Sequence, residues 1–468
     1  MNSCNPHVVL ILLDAVRANC LSCYGYERRT TPNMDALADD GIRFANAFSP
    51  GPNTVLGHAA LFTGLSYHNG VRTALGSTLR PEVPTIAETF RDNGYETTCI
   101  SRNPWISDEY GFTRGFTRTV DLWRNSKVGR QVGRIGKAFG YGDKGAGKAC
   151  ELAARQLTEA RRPQFLFINM IEAHHPYVPQ LPFAVRFAGL RRGLIDRIWV
   201  NLFWPSSKLW NLAAVGSEDT FRLLEDLYVA SIAAMDARVG TLLAKLEEAG
   251  VLDDSVVILC ADHGENLGEH RLVSHGLSLY EPLIHIPLIM RLPGRGAGLV
   301  SEHLTQLNDV MPSLCNFCGF ELPPSLQDHP NQWYDMFDGD SPGARRNAAY
   351  AEFFCGPADL AALQNANPLY DFSQLERSLR AIRTRNWKYI IGSDGSTELY
   401  DMQQDPDELD NIAGQAPDIA HRLNTQLCEY FDAIGAGELS LNRRPMGDAY
   451  SDHERLQVEE HLRDLGYL

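Results

Sequence analysis

Asp14 closes the apolar run His7–Leu13, and the pair Asp262-His263 closes a second such run, Ser255–Ala261. Carboxylate oxygen and imidazole nitrogen are common ligands for Zn²⁺ or Mn²⁺, and open parallel sheets place their ligands beyond the strand C-termini. A hydroxyl joins them at Thr54, in Pro52-Asn53-Thr54-Val55-Leu56-Gly57-His58, which reads as a turn breaking into a short helix that stops at Gly64. Thr54 is expected to be the N-cap of that helix. Alone it would be a cap and nothing more. Beside two acidic strand ends it completes a four-ligand set, Asp14, Asp262, His263 and Thr54, for one divalent cation (Mn, Zn or Ca, with a second site not excluded), and its hydroxyl becomes a metal-activated nucleophile. The free N–H groups and the dipole at the helix start stabilise a phosphate or sulfate group there. His58 lies one turn along at i+4, on the face of Thr54, where it is expected to orient Oγ or touch the bound anion. His174, His175, His270 and His275 add imidazoles that can hold transferred oxygens, protonate a leaving group or bind a second metal.

The elements that must position these residues alternate along the chain. A helix over Pro84–Asn93, a strand Thr97–Ser101, a strand Gln164–Met170, a long helix Ser217–Gly250 and strands at Ser255–Ala261 and Ile286–Arg291 follow one another. That alternation predicts an α/β protein with a mainly parallel sheet flanked by helices. Two segments break it. The stretch from about 125 to 148 is rich in Gly, Lys and Arg and reads as a mobile loop. The stretch from about 180 to 215 mixes aromatics with arginines, which suits a lid, a packed helical insertion or a surface touching lipid headgroups through 182–210. After Pro323 the texture changes: Ser378–Ile391 and Thr397–Met402 read as two strands joined by the turn Ser393-Asp394-Gly395-Ser396, with amphipathic helices closing the chain. The expected division is a catalytic domain, 1–322, and a smaller C-terminal α+β domain, 323–468.

Bulk properties remove several function classes. A formal charge of −15 argues against nucleic acid as a partner, while the anionic ester expected as substrate rests on the helix start at Thr54. The early apolar run Val8–Leu13 is too short for a signal-peptide core or a membrane span. Ten scattered cysteines suit reduced thiols, so a cytoplasmic location is expected. The pairs Cys20/Cys23 and Cys315/Cys318 are too far apart in sequence for a four-thiolate zinc site. Oligomeric state is not legible.

Ordered blocks along the chain resemble the sulfatase family of the alkaline phosphatase superfamily. They are Asp14 with Arg17; Cys23-Tyr24-Gly25-Tyr26; Thr31-Pro32-Asn33-Met34-Asp35; Ala59-Ala60-Leu61-Phe62-Thr63-Gly64; Gly94-Tyr95 with Asn103; His174 to Tyr177; Asp262-His263-Gly264-Glu265 through His275; Asp309-Val310-Met311-Pro312; Lys388-Tyr389; and the closing Leu462–Leu468. The resemblance implies an alkaline-phosphatase-like fold, a metal-dependent ester hydrolase or transferase, and site roles for Arg17, Asn103 and His270 at the substrate and for Thr54, His58, His174 and His275 in catalysis. One block departs. Sulfatases carry Cys-x-Pro-x-Arg, or Ser in place of Cys, and convert the first residue to formylglycine. Here Thr54 stands at that position, Leu56 at the Pro and His58 at the Arg. Related phosphodiesterases, nucleotide pyrophosphatases and phosphoethanolamine transferases use Thr in this role, so phosphate or phosphonate esters are expected as substrates. A sulfatase working without formylglycine is one alternative. An inactive relative that binds an anionic glycan or lipid headgroup is another. Ala15 stands where many sulfatases have a second metal carboxylate, and Asn19 where relatives often have Asp.

Overall fold

The computed structural model describes residues 5–72, 78–123, 143–294, 298–327, 335–337 and 346–439. Strand β1 (His7–Leu13) is at the centre of an eight-stranded sheet, and Val8 to Leu13 are fully buried, as a continuous apolar run between two helical layers requires. The other strands are β2 (Ile42–Phe48), β3 (Glu96–Ser101), β4 (Arg118–Asp121), β5 (Gln164–Met170), β6 (Ser255–Ala261), β7 (Leu288–Arg291) and β8 (Leu299–Gln306), in the order β8-β2-β7-β6-β1-β5-β3-β4. β1 pairs in parallel with β5 and β6, so Asp14, Ile171 and Asp262 all follow strand ends on one edge. Strand β7 runs antiparallel to both β6 and β2. Its reversal has a topological cause. Residues 262–287 leave the C-terminal end of β6 and return without a crossover helix, so the next strand must run back.

Four helices stand out. Helix α1 (Thr54–Thr63) is buried at every residue. Helix α2 (Leu181–Arg191) continues through the π-turn Arg192–Asp196 into α3 (Arg197–Phe203) and forms the insertion expected near 180–215. Helix α4 (Glu218–Glu248) is long and apolar enough to cross a bilayer, yet Leu227 to Met235 along it are buried in the core. Of the basic stretch, residues 124–142 lie outside the described part. Its end differs from the expected loop, because the helix Ala146–Thr158 begins inside it, with Gly147 N donating to Asp143 Oδ2 at 3.0 Å.

The smaller sheet holds β9 (Ala349–Phe353), β10 (Leu379–Arg383), β11 (Trp387–Gly392) and β12 (Thr397–Asp401), all antiparallel. The single strand expected over Ser378–Ile391 is two, broken at 384–386, where Trp387 N donates to Thr384 Oγ1 at 3.0 Å. The turn at Ser393–Ser396 joins β11 to β12 as expected, and one helix, α5 (Pro417–Ala433), covers this sheet. The closing block Leu462–Leu468 lies outside the described residues. The main core continues into the small sheet through Phe353, Leu379 and Tyr400. A buried ionic cluster joins the two parts as well: Lys388 Nζ lies 2.6 Å from Glu408 Oε1 and 3.3 Å from Glu281 Oε1, and Arg383 Nε is 3.2 Å from Glu281 Oε1.

Candidate active site

The sheet edge beyond β1 and β6 gathers a dry cluster of ligand atoms. Asp14, Asp262 and His263 are fully buried, and one oxygen or nitrogen from each lies within 4.8 Å of the others. Asp14 Oδ1, Asp262 Oδ2 and His263 Nε2 have no hydrogen-bond partner. The remaining atoms are all engaged in orienting them. Asn103 Nδ2 donates to Asp14 Oδ2 at 2.6 Å, and the N–H groups of Ala15 and His263 donate to Asp262 Oδ1 at 3.2 and 3.0 Å. His263 Nδ1 donates to Gly264 O at 2.8 Å, because a carbonyl can only accept, which leaves the lone pair on Nε2. Ala15 takes φ +60° to turn the chain here, a left-handed conformation that a non-glycine residue adopts at a cost.

The electrostatics suit a divalent cation. Burial and the neighbouring Asp262 push the Asp14 carboxyl up to about 7, whereas His263, ahead of His58, overrides burial and holds Asp262 below the usual carboxylate range. Two buried carboxylates and an outward lone pair on imidazole, all unpartnered, make a hard-to-borderline O,O,N donor set. That set fits a divalent metal, and three protein ligands leave room for substrate. Among the described residues no other group of three or more such side chains has this geometry. The thiol pairs take no part.

Helix α1 is pressed against this cluster. A Cβ on Gly57 would meet Asp262 O at 2.4 Å, so only glycine allows the approach. Thr54, three residues earlier, shares that face and is 4% exposed. It is not the N-cap. Asn53 is, accepting from Leu56 N at 3.2 Å, and Thr54 occupies the first helical position. The reason is local: Asn53 is extended at φ −151° and Asn caps better than Thr. With Leu56 N engaged, the N–H groups of Thr54 and Val55 remain as the helix-start donors.

His58 lies behind the ligands. Its Nδ1 donates to Thr54 O at 2.9 Å and lies 3.4 Å from Asp262 Oδ2, while its ring is 6.0 Å, centroid to centroid, from each of Phe62, Phe112 and Phe167. His58 thus ties the Thr54 backbone to the side of Asp262, and its Nε2 has no hydrogen-bond partner. His275 does join the cluster: its ring is 4.4 Å from that of His263 and 5.0 Å from that of His174, and its Nδ1 is 3.3 Å from Glu265 Oε1. His174 Nδ1 donates to His175 O at 2.7 Å. Burial, with His275 adding, lowers His174 to about 3, and burial holds His275 well below the usual imidazole range, so both rings are neutral. His175 turns away to Ser206 Oγ at 2.7 Å.

Three expected substrate contacts are employed otherwise. Asn103 orients Asp14, as above. Arg17 makes a two-pronged pair with Glu269, at 2.7 and 2.8 Å, and donates to Glu265 O. His270 stacks on Tyr280, with centroids 4.0 Å apart, and lines a separate cavity of about 480 Å³ that reaches Arg377 and Glu398 of the small-sheet region. For Asn103 and Arg17 a polar partner far away in sequence claims the side chain, and for His270 a ring ten residues on does. Glu265 is a further carboxyl at the site, beyond the expected site residues. It is fully buried, burial pushes it up to about 7, and Oε2 has no partner. Its signal was its place two residues after His263.

A family model described as Sulfatase matches residues 6–320. The chain belongs to the sulfatase family. A second model, N-sulphoglucosamine sulphohydrolase, C-terminal, matches residues 268–432 of this sulfatase-family chain. It is similar to the uncharacterized sulfatase YidJ of Escherichia coli, with 22% identity over 92% of this chain and 88% of the relative. It is also similar to the N-acetylglucosamine-6-O-sulfatase of Bacteroides thetaiotaomicron, at 24% over 88% and 83%. The crystal structure of the phosphonate monoester hydrolase of Agrobacterium radiobacter superposes with a TM-score of 0.70 at 22% identity, covering 92% of this chain and 95% of that one. The alkaline-phosphatase-like fold of this family member is thereby shared with its relatives.

Proposed function

We propose that this sulfatase-family hydrolase cleaves phosphate or phosphonate esters through Thr54. The observation that carries the reading is the seating of α1: Gly57 presses the helix against Asp262, and the hydroxyl residue on the same face is a threonine. Formylglycine arises from Cys or Ser, and neither stands there.

Asp14, Asp262 and His263 would hold a divalent cation, with Thr54 Oγ as a further ligand. Bound there, the cation supplies charge that stabilises alkoxide and ester oxyanion. Thr54 Oγ attacks phosphorus, the Thr–O–P bond forms, and the ester oxygen departs with its electron pair. The Thr54 and Val55 N–H groups hold the oxyanion. Neutral His174 and His275, beside His263, are the bases at hand. One takes the Thr54 proton and passes it to the leaving oxygen. Water then attacks phosphorus, loses its proton to the imidazole, and Thr54 departs as the hydroxyl. A transferase would use an acceptor hydroxyl in place of that water. His58 and Asn103 act as positioning residues in this scheme.

Sulfate esters are the second reading, favoured by the relatives' names. An ester of Thr54 with sulfate has no hemiacetal exit and must be opened at sulfur, which makes phosphorus the better match. Aryl phosphodiester, phosphonate and sulfate substrates with one leaving group discriminate between the two, assayed with Mn²⁺, Zn²⁺ and Ca²⁺. The expected outcome is faster phosphorus ester cleavage, a phosphorylated Thr54 peptide in quenched reactions, and no turnover by Thr54→Ala. A sulfate ester preferred by about tenfold, a 1.4 kcal/mol difference in barrier, would overturn the choice.

A further inference from the structure

We propose that the helical insertion Leu181–Phe203 docks this chain on anionic phospholipid bilayers. Leu190, Ile195, Trp199 and Phe203 are 66, 63, 46 and 58% exposed. Ile195, Trp199 and Phe203 recur every four residues, and the Trp199 and Phe203 rings are 5.9 Å apart, so they form one stripe on one face. Contiguous apolar surface of this kind on a helix marks an interaction site. The segment also reverses the charge of the chain. Residues 180–215 carry five cations and one acid, in a protein of formal charge −15.

Not all of that charge is available. Arg197 is buried and donates to Pro179 O at 3.1 Å, and Arg28 and Arg192 neutralise Asp226. Asp196 and Asp219 share a groove with Arg191 and Arg192. Arg186 and Lys208 are exposed, and Arg186 Nη2 donates to the carbonyl of the equally exposed Arg29. A second copy of the chain would set these cations against one another across a self-complementary contact. An anionic lipid surface attracts them while taking up the leucine, isoleucine and aromatic rings. The insertion is firmly held. Asn201 Nδ2 donates to Tyr177 O at 3.0 Å and His175 Nδ1 meets Ser206 Oγ at 2.7 Å, so docking would hold the His174–Tyr177 loop beside the bilayer.

The test is flotation of the full chain with phosphatidylcholine vesicles, with and without phosphatidylglycerol, beside sedimentation of the protein alone. Wild type should float only with phosphatidylglycerol and lose binding as salt rises. Trp199→Ser/Phe203→Ser and Arg186→Glu/Lys208→Glu should each weaken flotation by at least about tenfold with ester turnover and melting temperature unchanged. Equal flotation by wild type and variants, or none above phosphatidylcholine alone, overturns the proposal. So does a wild-type dimer that Trp199→Ser/Phe203→Ser converts to monomer. None of these outcomes bears on the Thr54 reading.

Discussion

Two buried clusters of charge lie at the two ends of the segment 262–281, and they are built differently. At its start Asp14, Asp262 and His263 face one another with three unpartnered ligand atoms. At its end Glu281 and Glu408 are matched by Lys388 and Arg383, all within 3.3 Å of a partner. Perturbed acidity alone does not separate them. Burial raises Asp14 to about 7 in the first cluster and Glu408 to about 7 in the second. What separates them is charge stoichiometry. A balanced cluster holds two parts of the fold together, whereas an unbalanced one requires a cation from outside.

The largest expected effect comes from breaking the unbalanced cluster. Asp262→Asn should bind metal poorly and lose on the order of 10³-fold or more in turnover, since a catalytic metal supplies several kcal/mol of charge stabilisation. Metal-free, the variant should be less stable than metal-free wild type at neutral pH, because the Asp262 carboxyl is held below its usual range and contributes stability while ionised. Metal analysis with thermal melts checks both halves. Full metal occupancy in the variant would sink the ligand set.

Lys388→Met attacks the balanced cluster and should cost ~3–5 kcal/mol of stability, the usual penalty for stranding a buried partner. Turnover per folded molecule should hold. The deficit should widen from pH 5 to pH 8. Glu408, already raised by burial and by Glu281, loses the lysine that lowers it, and a raised carboxyl contributes stability that is lost as pH climbs through its folded value. Urea midpoints at the two pH values measure this, and an unchanged midpoint would show that the cluster holds nothing together.

Gly57→Ala probes the contact between the nucleophile helix and the ligands. The new methyl must displace a backbone oxygen at 2.4 Å, so α1 shifts. Overpacking of this kind costs ~1–3 kcal/mol, and a displacement near 1 Å at a reacting group costs on the order of 10²-fold in rate. A normal kcat in this variant would mean that Thr54 does not need its present seat.

How much of this was readable beforehand depends on the range of the interaction. β5 and β6 run over the expected residues, Gln164–Met170 and Ser255–Ala261, because a buried strand is written as a local apolar run. The Asp14, Asp262 and His263 cluster followed from the rule that parallel strands end on one edge. The antiparallel turn of β7 was hidden, since direction depends on how a 26-residue connection travels rather than on any composition. Side-chain employment was hidden for the same reason. Arg17 follows Asp14 by three residues and Asn103 follows the end of β3, and only their distant partners Glu269 and Asp14 decide what they do. The cap at Asn53 in place of Thr54 was a one-residue error in a pattern where both residue types qualify.

Arg17 and Glu269 sharpen the comparison, being a balanced pair set beside the unbalanced cluster. Burial would raise the Glu269 carboxyl, but the Arg17 guanidinium overrides it and holds Glu269 at about 2. A carboxylate so depressed contributes stability that is fully present above its unfolded value of about 4.3 and is lost as pH falls through about 2. Glu269→Gln should therefore cost ~1 kcal/mol at neutral pH, a modest figure because the carboxylate side chain is 38% exposed and screened. The difference from wild type should shrink below about pH 4 and vanish only below about pH 2, where both proteins carry a neutral side chain at this position. Metal affinity should stay at the wild-type level, since the pair is complete without the cation. If Glu269→Gln instead loses metal along with Asp262→Asn, the two sets of charges act as one system, and the contrast between a balanced pair and an unbalanced site fails at the place where they lie closest in the chain.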